Sequence, residues 1–190
     1  MTRPDLGEDA TASVAATSAD AQSSWVTLPS VQEDLPQELQ LALEAFDAGE
    51  RPAARAASTW LRTQAVAAFQ TSRTRLLLCS GRVEGFYSLA SAQVELNQRD
   101  RRRIDIAPVR APASLVTWIA KDKRAEIDGK LLLLHAVATA RRAAELQATS
   151  VLVVDPFDEE TAIMWRERFG FRTSAEAKKP KRLWLPLQPI

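Results

Sequence analysis

VLVVDPFDEETAIMWRERFGF, residues 151–171, decides the fold. Val151 to Val154 is a short apolar, β-branched run without alternation, the pattern of a strand covered on both faces. Asp155-Pro156 ends it, because the residue before proline is pushed off the helical region and proline has no N–H to donate. Asp158 then serves as an N-cap, and Glu159 and Glu160 place negative charge on the first helical turn. Ala162, Trp165 and Phe169 recur at helical spacing and give that helix one apolar face. Gly170 supplies a left-handed cap, and Phe171 starts another extended segment. A strand, a helix and a strand in this order form one unit of an α/β domain.

The rest of the chain sets the limits around this unit. Its 190 residues suit one domain plus a tail, and an apolar share of 46% is enough for an ordinary core. The net charge of +1 creates no global field toward nucleic acid or membrane. Cys79, the one cysteine, excludes a disulfide framework and reads as a buried small hydrophobe. No stretch is long and apolar enough to span a bilayer, and the start lacks a basic-then-apolar signal, so a cytoplasmic protein is expected. Residues 1–24 are rich in Ala, Ser, Thr and Asp and cannot bury enough surface to offset their ordering entropy. They read as a disordered tail before a single domain, 25–190.

Within that domain, 38–46 suits a short helix. Residues 53–69 suit a longer one, with Trp60, Leu61 and Ala65 toward a core. Residues 74–79 and 83–93 pair as a hairpin across Ser80-Gly81-Arg82. The basic cluster Gln98 to Arg103 reads as a loop. Pro108 to Pro112 punctuates the chain before a buried strand at 115–120. Lys130 to Leu146 is a helix with Leu131, Leu134, Ala138 and Leu146 on one side and Arg141, Arg142 and Glu145 on another. His135 within it reads as a packed residue rather than a base. The polar segment 172–182 reads as a mobile loop, and 183–187 as a last strand.

Four stretches carry a resemblance. DEETAIMWRERFGF, 158–171, resembles the (D/N)-E-x-A-x-x-F-Y-x-(R/K)-x-G-F signature of the GNAT N-acetyltransferases. FDAGERPAARAASTWL, 46–61, and RLLLCSGRVEGFYSL, 75–89, resemble segments of one GNAT branch, the toxins of bacterial toxin–antitoxin pairs. LWLPL, 183–187, resembles the family's final strand. The resemblance implies a mixed, mainly antiparallel sheet flanked by helices, with an acyl-CoA slot between the 115–120 and 151–154 strands. It places Trp165 where the family has a tyrosine that protonates the departing thiolate, and an indole N–H is no acid.

The same resemblance locates the phosphate loop in KDKRAEIDGKLLLLHA, where (Q/R)-x-x-G-x-(G/A) is expected so that backbone N–H groups close on a pyrophosphate. Counting forward from Asp122 puts Glu126, Gly129 and Leu131 on its key positions. Counting back from Asp158 puts Arg124, Ile127 and Gly129 there. The implied cofactor contacts are Ile119, Ala120, Arg124, Gly129, Lys130 and Asp158. Arg101, Arg102 and Arg103 are the implied acceptor contacts, since arginine binds phosphate bidentately. The implied activity is acetyl transfer from acetyl-CoA, without a metal, to a primary amine such as the aminoacyl group of a charged tRNA. An antitoxin and a homodimer are the implied partners. The alternative is a GNAT-fold protein without catalysis that acts by binding a partner or by dimerising.

Overall fold

Val151–Val154 (β5) is an interior strand of a seven-stranded sheet in the computed structural model, which describes residues 23–30, 35–176 and 182–188. In chain order the elements are β1 (Ser23–Thr27), α1 (Gln37–Glu44), α2 (Pro52–Thr63), β2 (Arg73–Cys79), β3 (Arg82–Glu95), α3 (Gln98–Arg103), β4 (Arg110–Lys121), α4 (Gly129–Leu146), β5, α5 (Glu159–Phe169), β6 (Arg172–Thr173) and β7 (Leu183–Pro186). The strand order is β1-β2-β3-β4-β5-β7-β6. Only β4 and β5 run parallel, with α4 as their crossover; the other pairs are antiparallel. The expected mixed, mainly antiparallel sheet flanked by helices is what forms. Among the described residues no helix is long and apolar enough to cross a membrane.

Alternation along β3 builds the layers. Phe86 packs with Phe46, Trp60 and Leu61 of the α1–α2 side. Gly85 and Tyr87 face the opposite way, toward Leu132, His135 and Thr139 of α4. The β2–β3 turn is two residues, Ser80 and Gly81, with φ of 48° and 74°, so both centres are left-handed as a twist-matched hairpin requires.

Several expectations need correction. Ser23 and Ser24 belong to β1 rather than to the tail, because an edge strand is recruited through backbone hydrogen bonds to β2 and needs little apolar content; the tail itself, 1–22, lies outside the described residues. The 53–69 helix stops at Thr63. Gln64, at φ −129°, leaves the helix, and Ala67–Gln70 forms a 3₁₀ turn, a break that apolar spacing does not reveal over so few residues. The basic cluster is a helix, not a loop: Asn97 Oδ1 accepts from the Asp100 N–H and starts α3. β4 begins at Arg110, so Pro112 lies inside it. The Pro112 carbonyl accepts from Ser150 N–H, hence its missing donor also faces the β5 side, before that ladder begins at Ala113–Val151.

On α4 the buried side is Leu132, Leu133, Ala136, Val137 and Ala140, while Leu131, Leu134, Ala138 and Leu146 face outward. A leucine run offers several faces, and the sheet chose the one that meets Gly85. His135 is packed as expected. Its ring stacks on Trp25 at 3.7 Å and its Nδ1 lies 2.8 Å from the Tyr87 hydroxyl. Finally, the segment after Phe171 is held in place as far as Glu176. β6 pairs with β7, Ser174 N–H donates to Arg182 O, and Ala175 N–H donates to Glu95 O. Backbone bonding of this kind leaves no mark in polar composition. Residues 177–181 of that loop lie outside the described residues.

Candidate active site

β4 and β5 pair from Ala113–Val151 to Val116–Val154 and no further. β5 ends there because Pro156 follows, whereas β4 runs on to Lys121. Val116 pairs with Leu89 and Trp118 with Ser88, so Thr117 is an extra residue, a bulge that turns the strand at the point of separation. The result is a cleft of about 630 Å³. Its walls are β4 from Val116 to Lys121, Ile127 and Asp128 leading into α4, Gly129, Lys130, Leu132 and Leu133 of α4, the Asp155–Phe157 turn, one side of α5 through Thr161, Met164, Trp165 and Arg168, and Ala53 and Ala57 of α2.

Of the residues named from sequence, Ile119, Ala120, Gly129, Lys130 and Trp165 line this cleft together. Asp158 and Arg124 do not. Asp158 is the N-cap of α5: its Oδ1 accepts from Thr161 N–H at 2.7 Å, and hydrogen bonds from the Thr161 side chain and backbone hold its carboxyl below the usual range. Arg124 points its guanidinium at both oxygens of Asp122 and at the Ala45 carbonyl. Arg101, Arg102 and Arg103 lie on α3 and are not among the cleft residues; Arg101 Nη1 donates to the Ala107 carbonyl, while Arg102 and Arg103 are exposed.

The start of α4 departs from an open phosphate cradle. Asp128 caps it, and Asp128 Oδ1 accepts from Lys130 N–H at 2.9 Å, a donor that an anion would otherwise use. Gly129 follows with nothing within 4 Å of where a Cβ would stand. Lys130 and Arg168 bring side-chain charge to the cleft. Arg168 has no signal in the sequence beyond its place in the (R/K) position of the signature.

Trp165 is buried, with its indole against the rings of Phe169 and Phe171 at 5.2 and 5.1 Å. Counted back from Gly170-Phe171, the signature's tyrosine falls on Arg166, one residue later, which pairs with Glu159 at 3.1 Å. Neither side chain is an acid at neutral pH. Tyr87, the sole tyrosine, is fully buried on β3, and burial pushes its hydroxyl up in pKa.

Sequence reasoning missed a tie at the end of β4. Asp122, just past β4, is 3% exposed. Its Oδ2 accepts from Asp47 N–H and its Oδ1 from Arg124 N–H, at 2.9 and 2.8 Å. Asp47 in turn accepts from Gly49 N–H and pairs with Lys123 Nζ at 2.7 Å. Burial alone would raise the Asp122 carboxyl, but the hydrogen bonds from Arg124 and Asp47 and the Arg124 charge outweigh it and hold the pKa at about 2. The F-D-x-G-E stretch therefore fastens the α1–α2 loop to the β4–α4 loop.

No protein-family model matches the sequence, and no curated protein matches it. Solved structures do. A Tyr-to-Phe mutant of KacT superposes with a TM-score of 0.70 at 19% identity, over 87% of this chain and 95% of that one. AtaT complexed with acetyl-methionyl-tRNAfMet gives 0.70 at 20% identity, with 87% and 95% covered. A mutant AtaT toxin bound to the C-terminus of the antitoxin AtaR and acetyl-CoA gives 0.63 at 20%, with 87% and 94% covered. Likeness at this identity speaks to architecture: the chain has the GNAT fold, an architecture it shares with KacT and AtaT.

Proposed function

We propose that the protein transfers an acetyl group from acetyl-CoA to a primary amine, and that the amine is the aminoacyl group of a charged tRNA. The observation that carries this reading is the gap between β4 and β5. Beyond Val116 the β4 backbone has no strand partner on that side, so its N–H and C=O groups are available to the amide-bearing arm of an acyl thioester. The volume, about 630 Å³, is that of a small-molecule site, and the walls are mostly apolar with Lys130 and Arg168 for phosphate. The AtaT structures with acetyl-CoA and with acetyl-methionyl-tRNAfMet support the same reading through the shared fold.

In the reaction, the amine lone pair attacks the thioester carbonyl, a C–N bond forms and the C–S bond breaks. CoA leaves as a thiolate, and the proton shed by the new amide nitrogen reaches that sulfur through solvent. The protein's part is to hold both reactants in the gap, removing the bimolecular entropy cost, and to aim β4 N–H groups at the developing oxyanion. With Trp165 buried and Arg166 in the signature's tyrosine position, neither of these side chains hands over that proton.

Acetyl-CoA should raise the melting temperature of the purified protein, and CoA thiol should appear only when a charged tRNA is added. Gly129→Val puts a branched side chain at the mouth of the cleft, in open space. It should remove the acetyl-CoA shift while leaving the unliganded melting temperature within a few degrees. An unaltered shift in this variant would place the phosphates elsewhere. No shift in the wild type at millimolar acetyl-CoA would leave the second reading, a binding protein without catalysis, which the Asp128 cap and the missing tyrosine favour.

On the tRNA side, Arg102 and Arg103 are the exposed members of the Arg101–Arg103 run, whereas Arg101 helps hold the turn after α3. Changing Arg102 and Arg103 to alanine should weaken tRNA binding and flatten the slope of log affinity against log salt by about 2. An unchanged slope makes α3 a solvated surface and nothing more.

A further inference from the structure

The cleft reaches both faces of the sheet. Gly129 and Lys130 flank it on the α4 side, whereas Ala53 and Ala57 flank it on the α2 side, where α2 rides over Phe86 and Trp118. A thioester laid along β4 from the start of α4 brings its acyl carbon into the gap, which leaves the α2 mouth for the amine.

That mouth has a distinct chemistry. Phe86, Trp60 and Trp118 form a continuous aromatic stack, with centroids 6.0 and 5.3 Å apart and planes within 13° and 22°. The first two members are buried, and the third is half-buried and lines the cleft. Ala53 and Ala57, which line the same cleft, are one helical turn apart on the same face of α2 and present only methyl groups. Any longer side chain there would fill the recess. None of these three lining residues carries charge, and a flat indole beside two methyl groups matches a large apolar or aromatic group.

We infer that the α2 mouth is an acceptor chamber that selects an amine carried beside a large apolar side chain, with Trp118 as its platform and Ala53 and Ala57 as its size gate. The inference rests on the acetyltransferase reading above and specifies which aminoacyl groups that site takes. A charged or very small aminoacyl group gains nothing from the platform. A methionyl or phenylalanyl group buries most of its surface there, and each methylene in such a recess is worth roughly a tenfold or larger preference.

The test uses the full chain and one tRNA body charged in turn with glycine, alanine, methionine and phenylalanine, so that only the side chain varies. The methionyl and phenylalanyl forms should be acetylated with kcat/KM at least about tenfold above the glycyl form. Ala53→Leu, at a half-buried position in the first turn of α2, should erase most of that ratio while the acetyl-CoA melting shift persists. Ala57→Phe should do the same more strongly, and Ala53→Leu keeps the test valid if the buried Ala57 does not accept the larger ring. Transfer at equal rates to all four forms, or a ratio untouched by Ala53→Leu, overturns the chamber and leaves the acetyltransferase reading standing. Absence of both an acetyl-CoA shift and any transfer removes the acetyltransferase reading, and the chamber with it.

Discussion

Asp122→Ala is expected to lower the melting temperature by roughly 6–12 °C, from a loss of about 3 kcal/mol. The carboxylate accepts from Asp47 N–H, Arg124 N–H and the Arg124 guanidinium, and it is almost wholly buried. Its removal strands those donors where water enters poorly and unties the α1–α2 loop from the β4–α4 loop. The effect has a pH signature. The folded-state pKa is about 2, below the ordinary 3.8, so the contribution is fully present above about pH 4 and is lost as pH falls toward 2. The linkage is worth about 2 kcal/mol. Melting curves of wild type and variant should therefore stand well apart at pH 7 and draw together between pH 4 and pH 2. A gap that stays constant over that range would show that the carboxylate is not the source of the stability.

The second large effect is expected at Gly85. A Cβ there would lie 2.8 and 2.9 Å from the two methyl carbons of Leu132 and 3.1 Å from the Ala120 carbonyl oxygen. Leu132 is 1% exposed and is hemmed in by the core, and the Ala120 contact is backbone. Gly85→Val should thus cost about 3 kcal/mol by overpacking and push the first turn of α4 away from the sheet. Since Leu132 also lines the cleft, acetyl-CoA should lose most of its stabilising effect in the same variant. Shortening the obstructing side chain is the control. Adding Leu132→Ala to Gly85→Val should cost much less than the sum of the two single changes, a coupling readable by chemical denaturation. Strict additivity would mean that the strain lies elsewhere.

Elements whose signal is local were legible in the chain. Val151–Val154 reads as interior because it has no polar face, and α5 is bracketed by Asp158 and by Gly170, whose φ is 73°. The β2–β3 hairpin announces itself through Ser80-Gly81. Errors gathered where several local readings were equal and tertiary contact chose among them. The leucine run of α4 has more than one apolar face, and only the sheet selects Leu132, Leu133 and Ala136. Pro112 reads as a stop, yet is harmless where its absent N–H faces no ladder. In the candidate site, five of the residues named from the family pattern meet in one cleft, but Arg124 is spent on Asp122, a long-range arrangement that no spacing encodes. The bulge at Thr117 and the α2 alanines were invisible for the same reason: they acquire meaning only when distant segments are brought together.

The position of β7 bears on how the chain is made. β7 is the latest strand in the chain, yet it lies between β5 and β6 and pairs with Val151–Val154 along its full length. Synthesis proceeds from the N-terminus, so β5 is made about thirty residues before its second partner. In a released chain where β1 to β5 have assembled before β7 docks, the far edge of β5 presents four apolar residues with open backbone groups, a template for pairing with any other extended chain. A truncated protein that lacks Leu183–Pro186 is therefore expected to be aggregation-prone rather than merely less stable.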